Sequence, residues 1–227
     1  MSIFGERYAE SYDLFYKDKP YKKEVERILD IIEDKCDVLD VACGTGGHAY
    51  YLADYCNLFV QDASPSMYEL ARKKLKDKVS YLGVHRMESF QHNRKFDVIL
   101  AMFSSIDYAT GLEKTLDNFY KHLRKGGMVV FDFWNKEVVE SEHLEVHQSE
   151  HKISFTTLNK SKQIASIDIR FGKLSETHIM HYYSITQMMR AIQEAGFSDI
   201  QVSPWTDDLW NILVIGRKGQ ERYVRKK

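Results

Sequence analysis

Seven consecutive residues, Asp40-Val41-Ala42-Cys43-Gly44-Thr45-Gly46, carry the densest chemical signal in the chain. They lead from an apolar run that reads as a buried strand into residues 48–55, which read as a helix. Glycines at such a junction let a bound group approach the backbone, and the helix start offers N–H donors without intrahelical partners. Asp62 closes the next apolar run, Asn57-Leu58-Phe59-Val60-Gln61, where a carboxylate can take the two hydroxyls of a ribose. Gly44-x-Gly46-x-x-Ala49 formally satisfies the dinucleotide pattern, so a dinucleotide and an adenosyl sulfonium ligand both fit these positions. An ionised carboxylate suits a ribose diol and an ammonium group, whereas two carboxylates beside a pyrophosphate would repel it.

A second group of polar and aromatic residues follows another apolar run, in Met102-Phe103-Ser104-Ser105-Ile106-Asp107-Tyr108. Ser104, Asp107 and Tyr108 are candidates for a site at the carboxyl ends of the strands, where open α/β sheets bind ligands. Tyr12 and Tyr16 join them from an aromatic segment, residues 8–16, that breaks at Lys19-Pro20. Tyr8 and Tyr12 serve equally well as an apolar cover. Asp132, Trp134 and Asn135 follow a fifth apolar run, and His178 and His181 lie where a base could descend from an inserted segment.

The elements that must hold these residues follow from periodicity. Strands are expected at Asp37-Val38-Leu39-Asp40-Val41-Ala42, 57–62, 79–84, 96–103 and 128–133, the last preceded by a Lys125-Gly126-Gly127 turn. Helices are expected at 21–33, 48–55, 67–75 (capped by Ser64-Pro65-Ser66) and 112–123. Alternating strands and helices imply parallel pairing through right-handed crossovers, hence a doubly wound α/β sheet. From about 145 to 184 the period changes to two, with polar turns at Asn159-Lys160-Ser161 and Gly172-Lys173, which predicts an antiparallel β meander. A helix over 186–195, a Gly196 stop and strands over 200–202 and 210–216 close the chain. The expectation is one domain, 1–227, with a β-meander cap inserted at 140–184.

Composition narrows the function classes. The chain has 227 residues with 32 Lys and Arg against 33 Asp and Glu, a formal charge of −1, which argues against a reader of nucleic-acid phosphates. The short basic stretch at 222–227 reads as a solvated end. Cys36, Cys43 and Cys56 show neither a disulfide framework nor zinc spacing, and the nine histidines lack ligand spacing, so no metal is expected. With no signal peptide and no long apolar window, a cytoplasmic protein free of the membrane is expected.

Taken as an ordered set, several segments resemble the class I S-adenosylmethionine-dependent methyltransferases. They are Val38-Leu39-Asp40-Val41-Ala42-Cys43-Gly44-Thr45-Gly46, Gln61-Asp62-Ala63-Ser64-Pro65-Ser66-Met67, Phe96-Asp97-Val98-Ile99, His122-Leu123-Arg124-Lys125-Gly126-Gly127 and Ala195-Gly196-Phe197. The resemblance implies a seven-stranded Rossmann-like methyltransferase sheet with S-adenosylmethionine as donor and S-adenosylhomocysteine as product. Asp40 and the backbone of Ala42, Cys43, Gly44 and Gly46 would hold the methionine end. Asp62 would bind the ribose, Met67 would lie near adenine, and Ala63, Met87, Glu88 and Met102 complete the implied cofactor set. Ala42 replaces a common glycine. Arg86 stands where the family often has an acid for the adenine amino group, and arginine accepts no hydrogen bond. Glu88, a backbone carbonyl or stacking must then serve.

The Met102 to Tyr108 stretch is similar to Met-Phe-Ser-Ser-Ile-Gly-Tyr of enzymes that methylate the amine of nucleotide-linked amino sugars, as is Tyr12-Asp13-Leu14 to theirs; Asp107 departs from their glycine. The implied acceptor is a small molecule, most simply the amine of a sugar or sugar nucleotide, with Tyr12, Tyr16, Ser104, Asp107, Tyr108 and His181 as the candidate catalytic set. An amine must lose a proton to react, so a nearby base or hydrogen-bond acceptor helps. An O-methyltransferase, a non-catalytic cofactor-binding subunit and a homodimer are all compatible with these residues.

Overall fold

Apolar runs too short for helices become strands β1 (Asp37–Asp40), β2 (Asn57–Asp62), β3 (Tyr81–Val84), β4 (Phe96–Ala101) and β5 (Leu123–Trp134). Neighbours among them pair in parallel, β1 with both β2 and β4, β2 with β3, and β4 with β5. Strands β10 (Phe197–Pro204) and β11 (Asn211–Lys218) add antiparallel to β5, giving a seven-stranded sheet in the order β10-β11-β5-β4-β1-β2-β3. The computed structural model describes residues 4–32, 36–141, 145–148, 151–171, 174–207 and 209–219; Glu33, the Gly172-Lys173 turn and the basic stretch at 222–227 lie outside them.

Consecutive strand residues divide between the two faces. Leu39, Phe59, Ile99 and Phe131 enter one apolar cluster, and Val38, Leu58, Val98 and Val130 enter the other. A parallel sheet covered on both sides needs such continuous apolar runs. The second cluster packs under helices α2 (Tyr21–Leu29), α3 (Gly47–Leu52) and α4 (Pro65–Leu75), the first under α5 (Leu112–His122) and α7 (Ile185–Glu194). Ser64 caps α4 by accepting the Met67 N–H, with Pro65 at the first helical position. Ser184 and Gln187 form a capping box on α7.

The meander folds as its own antiparallel sheet of β6 (Glu145–Gln148), β7 (His151–Asn159), β8 (Ile164–Phe171) and β9 (Leu174–His181). Ala165, Ile167, Ile169 and Met180 turn inward into a third cluster with Tyr8 and Ala9. The aromatic N-terminal segment is a helix, α1 (Glu6–Phe15), and a short helix α6 (Lys136–Ser141) precedes the meander; neither has a strong apolar period. Among the described residues no helix is long and apolar enough to cross a membrane.

Strand β5 begins earlier than the sequence suggests. Leu123 already pairs with Phe96, and the ladder shifts before Val98 meets Met128. The expected turn at 125–127 is therefore a kink inside a strand, with Gly126 at φ 79° and Gly127 pressed on its neighbours. A Cβ on Gly127 would sit 2.8 Å from the Asp97 carbonyl oxygen and 3.0 Å from that of Arg124. Backbone atoms cannot swing aside as a side chain can. Gly127→Ala is expected to cost about 1–3 kcal/mol, read as a lower urea midpoint at unchanged slope.

Candidate active site

The carboxyl ends of the parallel strands present four buried acids: Asp40 on β1, Asp62 on β2, Asp107 after β4 and Asp132 on β5. The first two flank the glycine turn. Asp62 Oδ2 accepts the Gly44 N–H and Oδ1 the Ser64 N–H, both at 2.8 Å. Gly44 and Gly46 both take positive φ, 56° and 86°, and a Cβ built on Gly44 meets nothing within 4 Å. The turn is thus an open cradle beside two acids. Burial raises the Asp62 carboxyl despite its backbone donors, and burial together with Asp62 pushes Asp40 up to about 7. Among the described residues no side-chain cation is among the groups that offset either acid.

Cys43 is buried and donates its N–H to the Gln61 carbonyl at 3.0 Å, and Val41 bonds Leu100 across β4, so the turn hangs from both neighbouring strands. Ala42 is half-buried against the cluster of Leu39 and Val41. Met67, Met87 and Met102 are each buried, in three different clusters. Ala63 stands between Asp62 and the cap Ser64 and donates its N–H to Asp62. Glu88 is also buried, and its Oε1 accepts Thr110 N–H at 2.7 Å and Thr110 O–H at 2.9 Å, with Arg86 at 3.2 Å. Although burial opposes it, these bonds hold Glu88 below its ordinary value. Glu88 therefore clamps the loop after β3 to the loop after β4, and Arg86 turns its guanidinium to that clamp.

After β4 the chain takes a strained turn. Phe103 and Ser104 both lie at positive φ, 62° and 53°, a region non-glycine residues rarely occupy. The turn is held by Asp132, whose Oδ2 accepts the Ser104 N–H at 3.0 Å, the Ser104 hydroxyl at 3.2 Å and Asn211 Nδ2 at 2.6 Å. Asp107 accepts the Trp134 N–H at 2.9 Å through Oδ2. Burial drives its carboxyl well above the ordinary value, and Asp132 adds to the shift. Asp107 Oδ1 and Asp132 Oδ1 are buried with no hydrogen-bond partner.

Helix α1 lies over this end of the sheet. Tyr12 meets Tyr16 at 4.7 Å between ring centroids, and Tyr16 meets Phe103 at 5.1 Å edge to face. Phe4 meets Tyr108 at 5.3 Å and Tyr8 at 5.7 Å. Burial keeps these phenols protonated: Tyr16 is pushed up to about 12, and burial likewise raises Tyr8, Tyr12 and Tyr108 well above their ordinary value. The structure so gathers Tyr12, Tyr16, Ser104, Asp107 and Tyr108. His181 stands apart, stacked on Tyr183 at the end of β9. It is His178 that reaches inward, its Nδ1 2.7 Å from the Tyr108 hydroxyl. The strand period explains the swap, because residues 178 and 181 face opposite sides of β9.

Residues that the sequence did not single out tie α1 down. Thr45 donates to Asp13 at 2.5 Å, and Lys74 reaches both. Glu24 on α2 holds His48 at 2.6 Å and Lys19 at 2.5 Å, while Lys19 lies 4.1 Å above the Phe103 ring. Thr45 and Asp13, Glu24 and His48, and Lys74 and Thr45 lie 24 to 32 residues apart in sequence, so no local signal marks them. Among the described residues no group of His, Cys, Asp and Glu is arranged to hold a metal ion.

Asp40 has a measurable signature. A carboxyl raised in the folded state adds stability that is fully present below its unfolded value near 4 and is lost as pH rises through about 7. Asp40→Asn is therefore expected to melt higher than wild type at pH 8, by about 2–4 kcal/mol, with the gap closing toward pH 4. Calorimetric melting of both proteins across that range checks it.

Residues 38–127 match the family described as "Methyltransferase domain". A dTDP-3-amino-3,4,6-trideoxy-alpha-D-glucopyranose N,N-dimethyltransferase of Streptomyces venezuelae is 34% identical over 137 residues, 56% of this chain and 57% of that protein. A dTDP-3-amino-3,6-dideoxy-alpha-D-glucopyranose N,N-dimethyltransferase of Streptomyces fradiae is 34% identical over 136 residues, 56% of this chain and 52% of that protein. The chain thus spans a little over half the length of these curated relatives. The crystal structure of Streptomyces venezuelae DesVI superposes with a TM-score of 0.72 at 25% identity, covering 92% of this chain and 97% of that one. The chain thus has the seven-stranded Rossmann-like methyltransferase fold, and its match to a methyltransferase domain covers residues 38–127, less than half of its length.

Proposed function

We propose that the protein transfers a methyl group from S-adenosylmethionine to the amine of a sugar or nucleotide-linked sugar. The observation that carries this reading is the pairing of two sites at one end of the sheet. The Asp40–Asp62 cradle fits the cofactor by the chemistry of its carboxylate acceptors, and an aromatic cluster with buried acids beneath it stands alongside over β4 and β5. The curated relatives, both named as acting on dTDP-linked amino sugars, support the same acceptor class.

In this mechanism Asp62 would hold the ribose hydroxyls, and Asp40 with the Ala42, Cys43, Gly44 and Gly46 backbone would hold the methionine end. Ala63, Met67, Met87, Glu88 and Met102 would surround the adenosine. The cofactor, when bound, supplies an electrophilic methyl group. The chain's own residues do the rest by position and by excluding water. Tyr8, Tyr12 and Tyr16 form the apolar roof of α1. Neutral phenols donate hydrogen bonds that orient polar groups of the acceptor without adding charge. The acids beneath them favour a ligand that carries positive charge. Asp132 acts indirectly, by fixing Ser104 in its left-handed turn after β4.

Incubation with S-adenosylmethionine and a dTDP-linked 3-amino sugar, followed by mass spectrometry, is expected to give an N-methylated product. The matching 3-hydroxy sugar should be left unchanged. Methylation of the hydroxy sugar alone, or of neither compound, would contradict the assignment.

A further inference from the structure

One buried group remains without a task in this scheme. His178 is 1% exposed, and it projects from β9 of the meander into the aromatic cluster of Phe4, Tyr8 and Tyr108. Its Nδ1 lies 2.7 Å from the Tyr108 hydroxyl. Its Nε2 has no hydrogen-bond partner and faces Glu176 Oε1 at 3.5 Å. Residues 176 and 178 are two apart on one strand, so their side chains share a face. Glu176 Oε1 is fixed in turn by the Phe4 N–H at 2.6 Å, and the Phe4 ring packs 4.6 Å from the imidazole.

We infer that Tyr108, His178 and Glu176 form a proton relay that takes the proton from the acceptor amine as it is methylated. The inference rests on the amine reading above. Tyr108 is the group that meets the acceptor; His178 and Glu176 are positioning residues. The order of the three sets the direction of transfer. A carboxylate facing Nε2 favours the tautomer with its proton on Nε2, which leaves the Nδ1 lone pair to accept the Tyr108 O–H. The phenol oxygen then keeps lone pairs for an N–H of the amine. An N–H bond of the acceptor's ammonium form breaks and its electron pair returns to nitrogen; that pair then forms the C–N bond, while the methyl–sulfur bond of the cofactor would break with its electrons left on sulfur. The proton passes to the Tyr108 oxygen, and the proton already on that oxygen moves to Nδ1. The resulting imidazolium faces the Glu176 carboxylate, which stabilises it and, with its side chain 16% exposed, gives the proton a way out to solvent.

The surroundings suit the task. Tyr8 packs on His178 at 5.1 Å, and the phenols of Tyr8 and Tyr16 from α1 and the Asp107 carboxyl from the turn of Tyr108 itself face the pair. Burial pushes the imidazole down to about 4, so it rests neutral and able to accept. Phe4 joins the device to α1, and the relay is complete only when the N-terminal segment is seated on β9.

Two measurements test the relay. Long-range nitrogen NMR on histidine-labelled protein, without cofactor or acceptor, is expected to show His178 as the Nε2–H tautomer between about pH 6 and 9. Observation of the Nδ1–H tautomer would overturn the relay and leave the amine reading standing. Kinetics with the dTDP-linked amino sugar give the second readout. His178→Ala should lower kcat about 100-fold near pH 7, and the loss should shrink to about 5-fold near pH 10, where the amine sheds its proton unaided. Glu176→Gln, whose amide oxygen can still accept the Phe4 N–H, should show a smaller loss with the same trend, about 10-fold. Both variants should bind S-adenosylhomocysteine as wild type does, which separates the effect from misfolding. A loss of equal size at every pH, or no loss, would overturn the relay. No turnover of any amine by wild type would sink the amine reading and the relay with it.

Discussion

The structure is organised around an electrostatic asymmetry along its parallel strands. Strand β1 carries an acid at each end. Asp37, at the amino end, is met by Arg124 at 2.6 Å, and although burial opposes it, this partner holds the carboxyl below its ordinary value. Asp40, at the carboxyl end, has only backbone donors and the repulsion of Asp62, and it is pushed up to about 7. The protein pairs Asp37 with an arginine at one end of β1 and leaves Asp40 without a side-chain cation at the other. Buried charge of that kind is costly, and it persists where a ligand supplies the missing partner. A ligand with an ammonium at one end and a ribose diol at the other satisfies both acids at once.

The N-terminal layer depends on the same place. Asp13 of α1 accepts from Thr45, inside the glycine turn, and Glu24 of α2 accepts from His48, one turn further on. Lys19, between the two helices, bonds Glu24 and covers Phe103, the first residue of the strained turn after β4. The aromatic cover of α1 and the glycine turn are therefore joined by direct bonds. The meander, which no cofactor contact requires, supplies the wall against which that cover closes.

The core of this arrangement was legible in the sequence because it rests on local signals. Glycines at 44 and 46 must adopt positive φ, Asp62 ends an apolar run, and Ser64-Pro65 has the chemistry of a helix start. The meander declared itself by its period of two. What the sequence did not carry was partner choice across long separations. Tyr108 and His178 are 70 residues apart, Ser104 and Asn211 are 107 apart, and nothing local marks either pair. His181 was as good a candidate as His178 until the register of β9 decided which of them turns inward. Helix α1 has no clear periodic signal for a related reason: its aromatic residues pack on the turn after β4 and on the meander sheet, so they do not form a simple apolar stripe. Gly127 was read as a turn residue, and its real constraint is the crowding of three backbone oxygens around its α-carbon.

The central claim is that the Asp40–Asp62 cradle binds the cofactor, and it can be tested without any acceptor. Titration calorimetry of S-adenosylhomocysteine into the wild-type protein and into Asp62→Ala addresses it directly. The wild type should bind at one site per chain. The variant, still folded by circular dichroism, should lose about 100-fold in affinity, the worth of two hydrogen bonds to a charged acceptor. Absence of heat in the wild type, or equal affinity in the two proteins, would contradict the assignment of this site.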